Sequence, residues 1–266
     1  LAEELGLTIA AIPFNLRDAV AHPSAATGSR TLRMLIGQVP RRPEFLSHVE
    51  MTGGYGATEM CGQSLALRGR DGAFRPGLLG RLINGYAARI VDTEGQPVAP
   101  GEVGELLIRG PAVTRGYWRM PEATAALLEG GWLHSGDLVR ADADGLFYFV
   151  DRLKDMIKTG GENVYAAEVE AILNAHPDIV EAAVFGVPDA RWGQAVKAVV
   201  VSRATGEPEA LARTLDAWCL ERLAPYKRPR WFEFTTQLPR NATAKITKPP
   251  LIAAHDPATS IRLSER

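Results

Sequence analysis

The sequence YFVDRLKDMIKTGGENVYAAE, at residues 148–168, joins an apolar strand end, a charged segment, a glycine pair and a helix start in immediate succession. The aromatic and β-branched residues that end at Val150 are typical of a strand, and the charges of DRLKDMIK predict that the strand stops there. Gly160 and Gly161 free the backbone for a sharp turn, and apolar residues then return at helical spacing over 164–173. This pattern fits either an ordinary strand-turn-helix link or a hinge between two domains.

Downstream of this stretch, helical and strand patterns alternate over a segment of ordinary domain size. Prolines open or stop several of these elements, which defines their predicted limits. The α-β-β-α-β order predicts a compact α+β domain of about a hundred residues. Its predicted elements are helix 165–175, strands 180–187 and 195–202, helix 208–223 and strand 231–235.

Upstream of this stretch, the predicted pattern of secondary structure changes near Pro76. From there, short strands separated by turns favour a small antiparallel sheet or barrel. Before it, a predicted strand at 32–36 and a short helical piece that begins at Pro40 are typical of an α/β layer. The sequence therefore predicts three successive regions of different architecture.

Composition limits the possible functions. The 266 residues, 46% hydrophobic and 23% charged, are typical of a globular protein of about two domains. A formal net charge of −1 gives no basic field, so we expect no nucleic-acid partner. The sequence shows neither an apolar run long enough for a transmembrane segment nor a signal-peptide pattern, so we expect a cytoplasmic protein. The oligomeric state stays open.

Two further features concern the cysteines and the start of the chain. Cys61 and Cys219 are the only cysteines, and we predict that both are reduced and buried as small apolar groups. The sequence begins with Leu1, without a starting strand or a capping residue, so we expect a fragment of a longer protein.

The glycine-rich stretch TGGYGATEM, at residues 52–60, is predicted to be a loop. It lacks the third glycine of a dinucleotide-binding turn, and the chain contains no phosphate-binding G-x-x-x-x-G-K-[ST] loop. The stretch does offer an aromatic ring in Tyr55 for a planar base, a hydroxyl in Thr58 for a phosphate and a carboxylate in Glu59 for Mg²⁺. A plain turn is the alternative.

Two other stretches contain polar candidates. In GGWLHSGDL, at residues 130–138, Asp137 follows a glycine and could accept hydrogen bonds from vicinal hydroxyls. His134 and Ser135 match neither a metal-ligand spacing nor a nucleophile motif, so we interpret both as structural. In the polar tail, Lys245 and Lys248 are most simply solvated lysines.

Five ordered motifs resemble the adenylate-forming superfamily, in particular the acyl-CoA synthetases. The resemblance covers residues 32–251 and rests on YGATE at 55–59, GELLIRGPAVTRGYW at 104–118, GWLHSGDL at 131–138, DRLKDMIKTGGENVYAAEVE at 151–170 and PRNATAKI at 239–246. Any one of these motifs is weak alone, whereas their order and spacing together are specific.

The resemblance implies a nucleotide site built from the first motifs. Tyr55 would stack on adenine within a loop that includes Gly56. Thr58 would contact the α-phosphate of ATP, and Glu59 would bind Mg²⁺. The ribose hydroxyls would be held by Asp137 and Arg152.

The resemblance also implies a reaction in two steps. A small-molecule carboxylic acid attacks the α-phosphate of ATP to form an acyl-adenylate with release of pyrophosphate, and the thiol of coenzyme A then takes the acyl group and releases AMP. Lys245 would bridge the carboxylate and the α-phosphate, and Lys154 would be the hinge on which the C-terminal domain pivots. Gly160 and Gly161 would let the pantetheine of coenzyme A pass close to the backbone.

The implied fold is α/β plus a small β-barrel subdomain, followed by a separate α+β C-terminal lid domain. We expect residues 1–75 to be a truncated part of the α/β subdomain and 76–150 a small distorted antiparallel barrel. The hinge would be residues 151–155, and the lid 156–266.

Two departures from the family pattern leave alternatives open. Ala244 stands where the family usually has glycine before the catalytic lysine, and nothing in residues 1–54 resembles the family's phosphate loop. We therefore expect the isolated chain to be inactive. The alternatives are a non-catalytic binding module, a split enzyme completed by a second polypeptide, and transfer of the acyl group to a carrier protein instead of coenzyme A.

Overall fold

The computed structural model describes residues 9–11, 34–36, 49–68, 75, 77–204 and 206–263. The chain divides into two compact units, Leu1–Val150 and Asp151–Arg266. The predicted helical piece that begins at Pro40 lies outside the described residues, apart from its end at Val49.

The first unit is organised by a nine-stranded mixed sheet with the spatial order β1-β2-β3-β4-β5-β9-β8-β7-β6. The β1–β2 and β2–β3 pairs are parallel, whereas the pairs β3–β4, β4–β5, β5–β9, β7–β8 and β6–β7 are antiparallel. The strands are β1 (Ile9–Ala11), β2 (Met34–Ile36), β3 (Glu50–Ala57), β4 (Gly62–Leu67), β5 (Leu78–Leu82), β6 (Ala87–Val91), β7 (Gly104–Arg109), β8 (Leu133–Ala141) and β9 (Phe147–Arg152).

One described helix, α1 (Pro121–Leu127), accompanies this sheet, and it begins at a proline, whose fixed φ suits the first helical position. Alternate residues of the central strands supply the core, which includes Leu65, Leu106, Ile108, Leu133 and Val139. Sheets and helices together are consistent with the predicted α/β class. The small barrel over 76–150 and the domain boundaries at 75, 150 and 155 stay predictions.

The second unit is an α+β arrangement in which helices and loops cover a six-stranded sheet. The order β11-β10-β13-β14-β15 forms its path, and β12 pairs with β13. The elements are β10 (Ile157–Thr159), β11 (Glu162–Val164), α2 (Ala166–Asn174), β12 (Ile179–Asp189), β13 (Gly193–Ser202), α3 (Pro208–Leu220), β14 (Trp231–Thr235), α4 (Pro249–Ala253) and β15 (Ile261–Arg262).

Alternating side chains of β12 and β13 build a core on each face of this sheet. On one face, Val184 and Val200 pack in a cluster with Leu173 of α2 and Leu215 of α3. On the other face, Phe185 belongs to a smaller cluster that the loop before α4 helps to cover. The predicted pattern of elements is confirmed, since every predicted helix and strand of this segment is present. β14 has the predicted limits, whereas α3 ends three residues early, at Leu220.

The strand at the junction of the two units does not stop where the charges begin. β9 continues through Asp151 and Arg152, so the prediction that it ends at Val150 is wrong. Asp151 is only 3% exposed. Two hydrogen bonds compensate for the burial of its carboxylate, which accepts from the backbone N–H of Arg152 at 2.7 Å and from that of Ala167 at 3.2 Å. Ala167 lies in the first turn of α2, where unpaired N–H groups favour an anion.

A fully buried cation stabilises the end of the second unit. Lys197 of β13 is 0% exposed. Its ammonium group donates to the carboxylate of Glu233 at 2.7 Å, to Nδ1 of His255 at 3.0 Å and to the hydroxyl of Ser260 at 2.9 Å. These three acceptors match the three donors of lysine, and together they hold the segment after α4 to the sheet.

The two cysteines have different environments. Cys219 is buried, as predicted, and burial raises the pKa of its thiol to about 12. Cys61 is exposed, so the prediction of burial is wrong for this residue. It follows a short 3₁₀ turn and adopts a left-handed backbone conformation with φ +49°. Neither thiol is in a disulfide.

Within the described residues, no helix has both the length and the apolar character needed to cross a membrane.

Candidate functional site

Two predicted site residues of the first unit are in direct contact. The hydroxyl of Tyr55, at the end of β3, donates a 2.6 Å hydrogen bond to Oδ2 of Asp137 in β8. Asp137 is 8% exposed, so its carboxylate is largely withdrawn from water. Hydrogen bonds to an ionised acceptor are short and strong, and this one fixes the carboxylate relative to the Tyr55 ring.

The segment before Asp137 is held by Glu105, a residue that the sequence analysis did not single out. Its Oε1 accepts the backbone N–H of Gly136 at 3.0 Å, and its Oε2 lies 3.0 Å from Nδ1 of His134. Gly136 has φ +67°, where glycine is favoured. His134 therefore has the structural role that was predicted, as part of a clamp that places Asp137.

The stretch at 52–60 is not a loop throughout. β3 runs through Ala57, and only Thr58–Met60 leave the sheet in a 3₁₀ turn. The glycines are explained by the close approach of β4, because a Cβ on Gly54 would lie 2.3 Å from the carbonyl oxygen of Leu65, and one on Gly56 would lie 1.9 Å from that of Gly62. The prediction of a loop failed because these glycines serve strand pairing.

The 3₁₀ turn presents Thr58 and Glu59 at the end of β3. Thr58 is exposed, and Glu59 is half-buried. The hydroxyl of Tyr117 donates to Oε1 of Glu59 at 2.6 Å. This hydrogen bond is the main reason that the pKa of Glu59 is lowered, and it raises the pKa of Tyr117. Glu59 is therefore ionised and available to a cation at neutral pH.

In the second unit, Arg152 and Lys154 are both exposed. Arg152 ends β9, and Lys154 lies in the single 3₁₀ turn Leu153–Asp155 that follows. The structure thus places the predicted hinge residue on a short, irregular segment between β9 and β10.

The glycine pair forms the tight turn that the sequence predicted. Gly160 and Gly161 connect β10 to β11, with φ +58° and +87°, and positive φ at both central residues is the type I′ hairpin pattern. A Cβ on Gly160 would lie 2.6 Å from the ring of Trp192, whereas one on Gly161 would meet nothing within 4 Å. Gly161 thus has open space beside it.

Lys245 lies exposed at the tip of a loop that Asn241 organises. The side-chain oxygen of Asn241 accepts hydrogen bonds from the backbone N–H groups of Thr243 and Lys245, each at 3.0 Å. The backbone N–H of Asn241 donates to the carbonyl oxygen of Lys245 at 2.9 Å. Ala244 has φ +61°, a left-handed conformation that favours glycine. A glycine, which the resemblance led us to expect at position 244, would adopt this conformation without strain.

Ion pairs anchor both sides of this loop. Arg240 pairs with Glu181 before it, and Lys248 contacts Glu170 at 2.9 Å after it. Glu170 also accepts the backbone N–H of Val184 at 2.9 Å. Burial raises the pKa of Glu170 and the Lys248 charge opposes that shift. Lys248 is therefore a structural lysine, partly buried, in contrast to the solvated lysine that its sequence context predicted.

Among the described residues, no three His, Cys, Asp or Glu side chains are grouped so that they could hold a metal ion by themselves.

Comparison with known proteins identifies the family. The profile of the family described as AMP-binding enzyme matches residues 4–118, and the profile of the AMP-binding enzyme C-terminal domain matches residues 168–245. The chain belongs to this family, the adenylate-forming superfamily.

Several of its relatives are coenzyme A ligases. A feruloyl-CoA synthase from an Amycolatopsis species is 42% identical over 248 residues, which cover 89% of this chain and 49% of that protein. The solved anthranilate CoA ligase AuaEII, in complex with anthranoyl-AMP, has a TM-score of 0.77 and 34% identity and is matched over 95% of this chain and 50% of its own.

A third relative is the o-succinylbenzoate CoA synthetase of Bacillus subtilis, solved with ATP and a magnesium ion. It has a TM-score of 0.76 and 30% identity, with 91% of this chain and 51% of that chain covered. The chain spans about half the length of the curated relatives it matches.

Proposed function

We propose that the protein to which this chain belongs is an ATP-dependent acyl-CoA synthetase. It would join a carboxylic acid to AMP with release of pyrophosphate, and then transfer the acyl group to the thiol of coenzyme A with release of AMP. The observation that supports this most strongly is the 2.6 Å hydrogen bond between Tyr55 and Asp137. It brings two of the five family motifs, YGATE and GWLHSGDL, together at the end of β3. We assign no particular carboxylic acid.

The nucleotide roles follow from the chemistry of each residue. The Tyr55 ring offers a flat face for adenine, and a carboxylate such as that of Asp137 can accept hydrogen bonds from ribose hydroxyls. Gly56 would contribute its backbone next to the adenine, and the exposed hydroxyl of Thr58 would donate to a phosphate oxygen. Arg152, with five donors and a permanent charge, is the second ribose ligand.

The residues present fit a magnesium ion that is bound mainly through the substrate. Mg²⁺ is commonly held by one or two carboxylates together with substrate phosphates and water, and Glu59 supplies one such carboxylate. Oε1 of Glu59 accepts a hydrogen bond from Tyr117, and no hydrogen bond joins its Oε2 to a described residue. When bound, the ion would offset the negative charge of the ATP phosphates.

The second unit supplies the remaining residues. In the adenylation step two anions, the carboxylate and the α-phosphate, must approach each other, and the ammonium group of Lys245 would hold both and stabilise the charge that develops between them. In the thioester step the open space beside Gly161 would admit the pantetheine of coenzyme A. The hinge role of Lys154 stays a prediction.

The test separates the two half-reactions in the protein at its natural length. Adenylation is measured as carboxylate-dependent pyrophosphate exchange over a panel of acids, and thioester formation is measured from supplied acyl-adenylate. We expect Lys245→Ala to lower exchange by about 100-fold or more while thioester formation stays within a few-fold of wild type. Arg213→Ala, which removes an exposed cation of the same unit, is the matched control and should change neither rate.

Other outcomes would contradict the proposal. An equal loss of both half-reactions in Lys245→Ala would remove Lys245 from its assigned role. Absence of exchange with every acid would favour a non-catalytic module. Exchange together with acyl transfer only to a carrier-protein phosphopantetheine would replace coenzyme A as the acceptor.

A further inference from the structure

Glu59 is held at two points by one segment of the first unit. The hydroxyl of Tyr117 donates to its carboxylate oxygen Oε1 at 2.6 Å, and the backbone N–H of Thr114 donates to its carbonyl oxygen at 2.7 Å. Tyr117 is 58 residues away in the sequence. Side chain and backbone of Glu59 are thus fixed by a segment that none of the assigned nucleotide roles includes.

The segment that bears Tyr117 is itself fixed by local contacts. The backbone N–H of Tyr117 donates to the hydroxyl of Thr124 at 2.9 Å, and that hydroxyl donates in turn to the carbonyl of Met120 at 2.8 Å. Gly116 has φ +135°, and a Cβ there would lie 2.3 Å from the methyl group of Thr124. An ordered turn just before α1 therefore fixes the position of Tyr117.

Only one oxygen of Glu59 is used by this contact. Because a tyrosine hydroxyl donates a hydrogen bond without a positive charge, it fixes the carboxylate and leaves its negative charge for a cation. A lysine or an arginine in the same place would neutralise that charge and compete with the cation. The second oxygen, Oε2, has no partner among the described residues.

We propose that Tyr117 is a positioning residue that holds Glu59 ready to bind the magnesium ion of Mg·ATP. The proposal rests on the proposed function, since it needs Glu59 to be the magnesium ligand. A glutamate that is already fixed loses less side-chain freedom on binding, so the hydroxyl is expected to strengthen metal binding by roughly 10-fold.

The exposure of Tyr117 makes this role testable without loss of the fold. Its side chain is 40% exposed, and its neighbour Trp118 is 84% exposed, so neither ring contributes much to the core. Tyr117→Phe removes one hydroxyl and almost no packing. The matched control is Tyr86→Phe, because the hydroxyl of Tyr86 has no hydrogen-bond partner in the described part of the chain while its ring packs on Gly110.

The experiment uses the protein at its natural length and two readouts. The first is the Mg²⁺ concentration that gives half-maximal pyrophosphate exchange at saturating ATP. The second, which is independent of turnover, is binding of Mn²⁺ to the complex with a non-hydrolysable ATP analogue, followed by electron paramagnetic resonance. Tyr117→Phe should raise both midpoints about 10-fold and change kcat at saturating Mg²⁺ by less than about 3-fold. Tyr86→Phe should change neither.

A double-mutant cycle identifies the route of the effect. If Tyr117 acts through Glu59, the double variant Tyr117→Phe with Glu59→Gln should bind Mn²⁺ as weakly as Glu59→Gln alone. Additive losses would overturn the proposal, and so would a Tyr117→Phe protein with wild-type midpoints. Failure of the proposed function gives a different result, because wild type would then show no Mg²⁺-dependent exchange and Glu59→Gln would leave Mn²⁺ binding unchanged.

Discussion

The Tyr55 hydroxyl donates to Oδ2 of Asp137 at 2.6 Å, so the ring proposed to stack on adenine and the carboxylate proposed to hold ribose are one hydrogen-bonded unit. β3 and β8 each contribute one member, and the pair is 82 residues apart in the sequence. Because Asp137 is largely buried, its orientation depends on this contact and on the Glu105 clamp before it. The two residues should therefore not act independently on nucleotide binding.

Removal of the Tyr55 hydroxyl should weaken ATP binding less than removal of the ring. Tyr55→Phe keeps the stacking face but removes the hydrogen bond to Asp137, so we expect KM for ATP to rise about 5-fold, in line with the loss of a hydrogen bond that contributes about 1 kcal/mol. Tyr55→Ala removes both and should raise KM about 50-fold or more. Initial rates of pyrophosphate exchange against ATP concentration give these values. Equal effects of the two substitutions would contradict the stacking role of the ring, an unchanged KM in Tyr55→Phe would contradict the coupling to Asp137, and Tyr86→Phe is the control.

The two glycines of the β10–β11 turn should respond differently to alanine. Gly160→Ala meets both an unfavourable φ of +58° and the Trp192 ring at 2.6 Å, so we expect a loss of about 2–3 kcal/mol in the free energy of unfolding. Gly161→Ala meets only the unfavourable φ and should cost about 1 kcal/mol. Denaturant unfolding of both variants measures the difference.

The same pair of variants tests the proposed path of coenzyme A. If pantetheine passes beside Gly161, then Gly161→Ala should raise KM for coenzyme A while pyrophosphate exchange stays at the wild-type rate. A Gly161→Ala protein with an unchanged KM for coenzyme A would show that the pair serves the turn alone.

Ala244→Gly should stabilise the Lys245 loop. Alanine at φ +61° costs about 1–2 kcal/mol, and glycine adopts this conformation freely but loses more freedom on folding, so a net gain of about 0.5–1 kcal/mol is expected. The control Ala217→Gly lies on the exposed side of α3, where glycine should destabilise by about 1 kcal/mol. Chemical denaturation of the three proteins provides the comparison, and a destabilised Ala244→Gly protein would contradict the argument.

The residues around these sites show where the sequence was sufficient. Local signals were enough for β14, whose sequence WFEFT is rich in aromatic residues, and for the Gly160–Gly161 turn, whose glycines adopt positive φ. They were insufficient for Asp151. A charge normally ends a strand, but here the first turn of α2 supplies an N–H partner 16 residues away that makes burial of the carboxylate acceptable.

Long-range partners explain the other omissions. Glu105 and Tyr117 both lie inside the motif GELLIRGPAVTRGYW, yet their roles depend on His134 and Glu59, which are 29 and 58 residues away. Nothing in the composition of the motif distinguishes a clamp from an ordinary strand or loop residue. The sequence alone was enough to propose roles for Tyr55, Thr58, Glu59 and Asp137, which stay predictions, whereas the residues that orient Glu59 and Asp137 became visible only with the fold.

The anchor after the Lys245 loop should matter more than the anchor before it. Lys248→Met leaves Glu170 without its cation in a partly buried setting, and we expect a loss of roughly 2 kcal/mol in the free energy of unfolding. Arg240→Met breaks the more exposed pair with Glu181 and should cost less than about 1 kcal/mol. Glu170→Gln combined with Lys248→Met should recover much of the loss, because no buried charge is then unpaired.

Thermal and denaturant unfolding of these variants provide the measurement. If Lys248→Met and Arg240→Met cost the same, burial of the Glu170 pair is not what stabilises the loop.

The last prediction concerns pH and the buried Lys197 cluster. Nδ1 of His255 lies 3.0 Å from the Lys197 ammonium group, which has donors only, so His255 must accept with a neutral ring. The pKa of His255 is lowered by burial first and by the Lys197 charge second, against the opposing effect of Glu233 and Asp256. In the unfolded chain the same ring titrates near its ordinary value of 6.5.

The sign of the effect follows from proton binding. Above pH 6.5 the ring is neutral in both states, and His255 then contributes no pH dependence. As the pH falls below 6.5, His255 binds a proton in the unfolded chain but stays neutral in the folded state. The free energy of unfolding therefore decreases until the pH reaches the lower pKa that His255 has in the folded state. Acidification should therefore loosen the segment after α4 that His255 and Ser260 hold to the sheet.

His255→Asn isolates this contribution. The asparagine carbonyl can accept from Lys197 in place of Nδ1 but does not titrate, so the variant should lose the part of the pH dependence that lies below 6.5. Burial raises the pKa of Asp151 and that of Glu170, so the folded state binds more protons at these two carboxylates than the unfolded chain does. Their effect on the free energy of unfolding is therefore opposite to that of His255, and it increases stability as the pH falls. Only the difference between wild type and His255→Asn is therefore diagnostic. It is measured by urea unfolding from pH 5 to 8, and parallel curves for the two proteins would show that His255 does not control the acid stability of this unit.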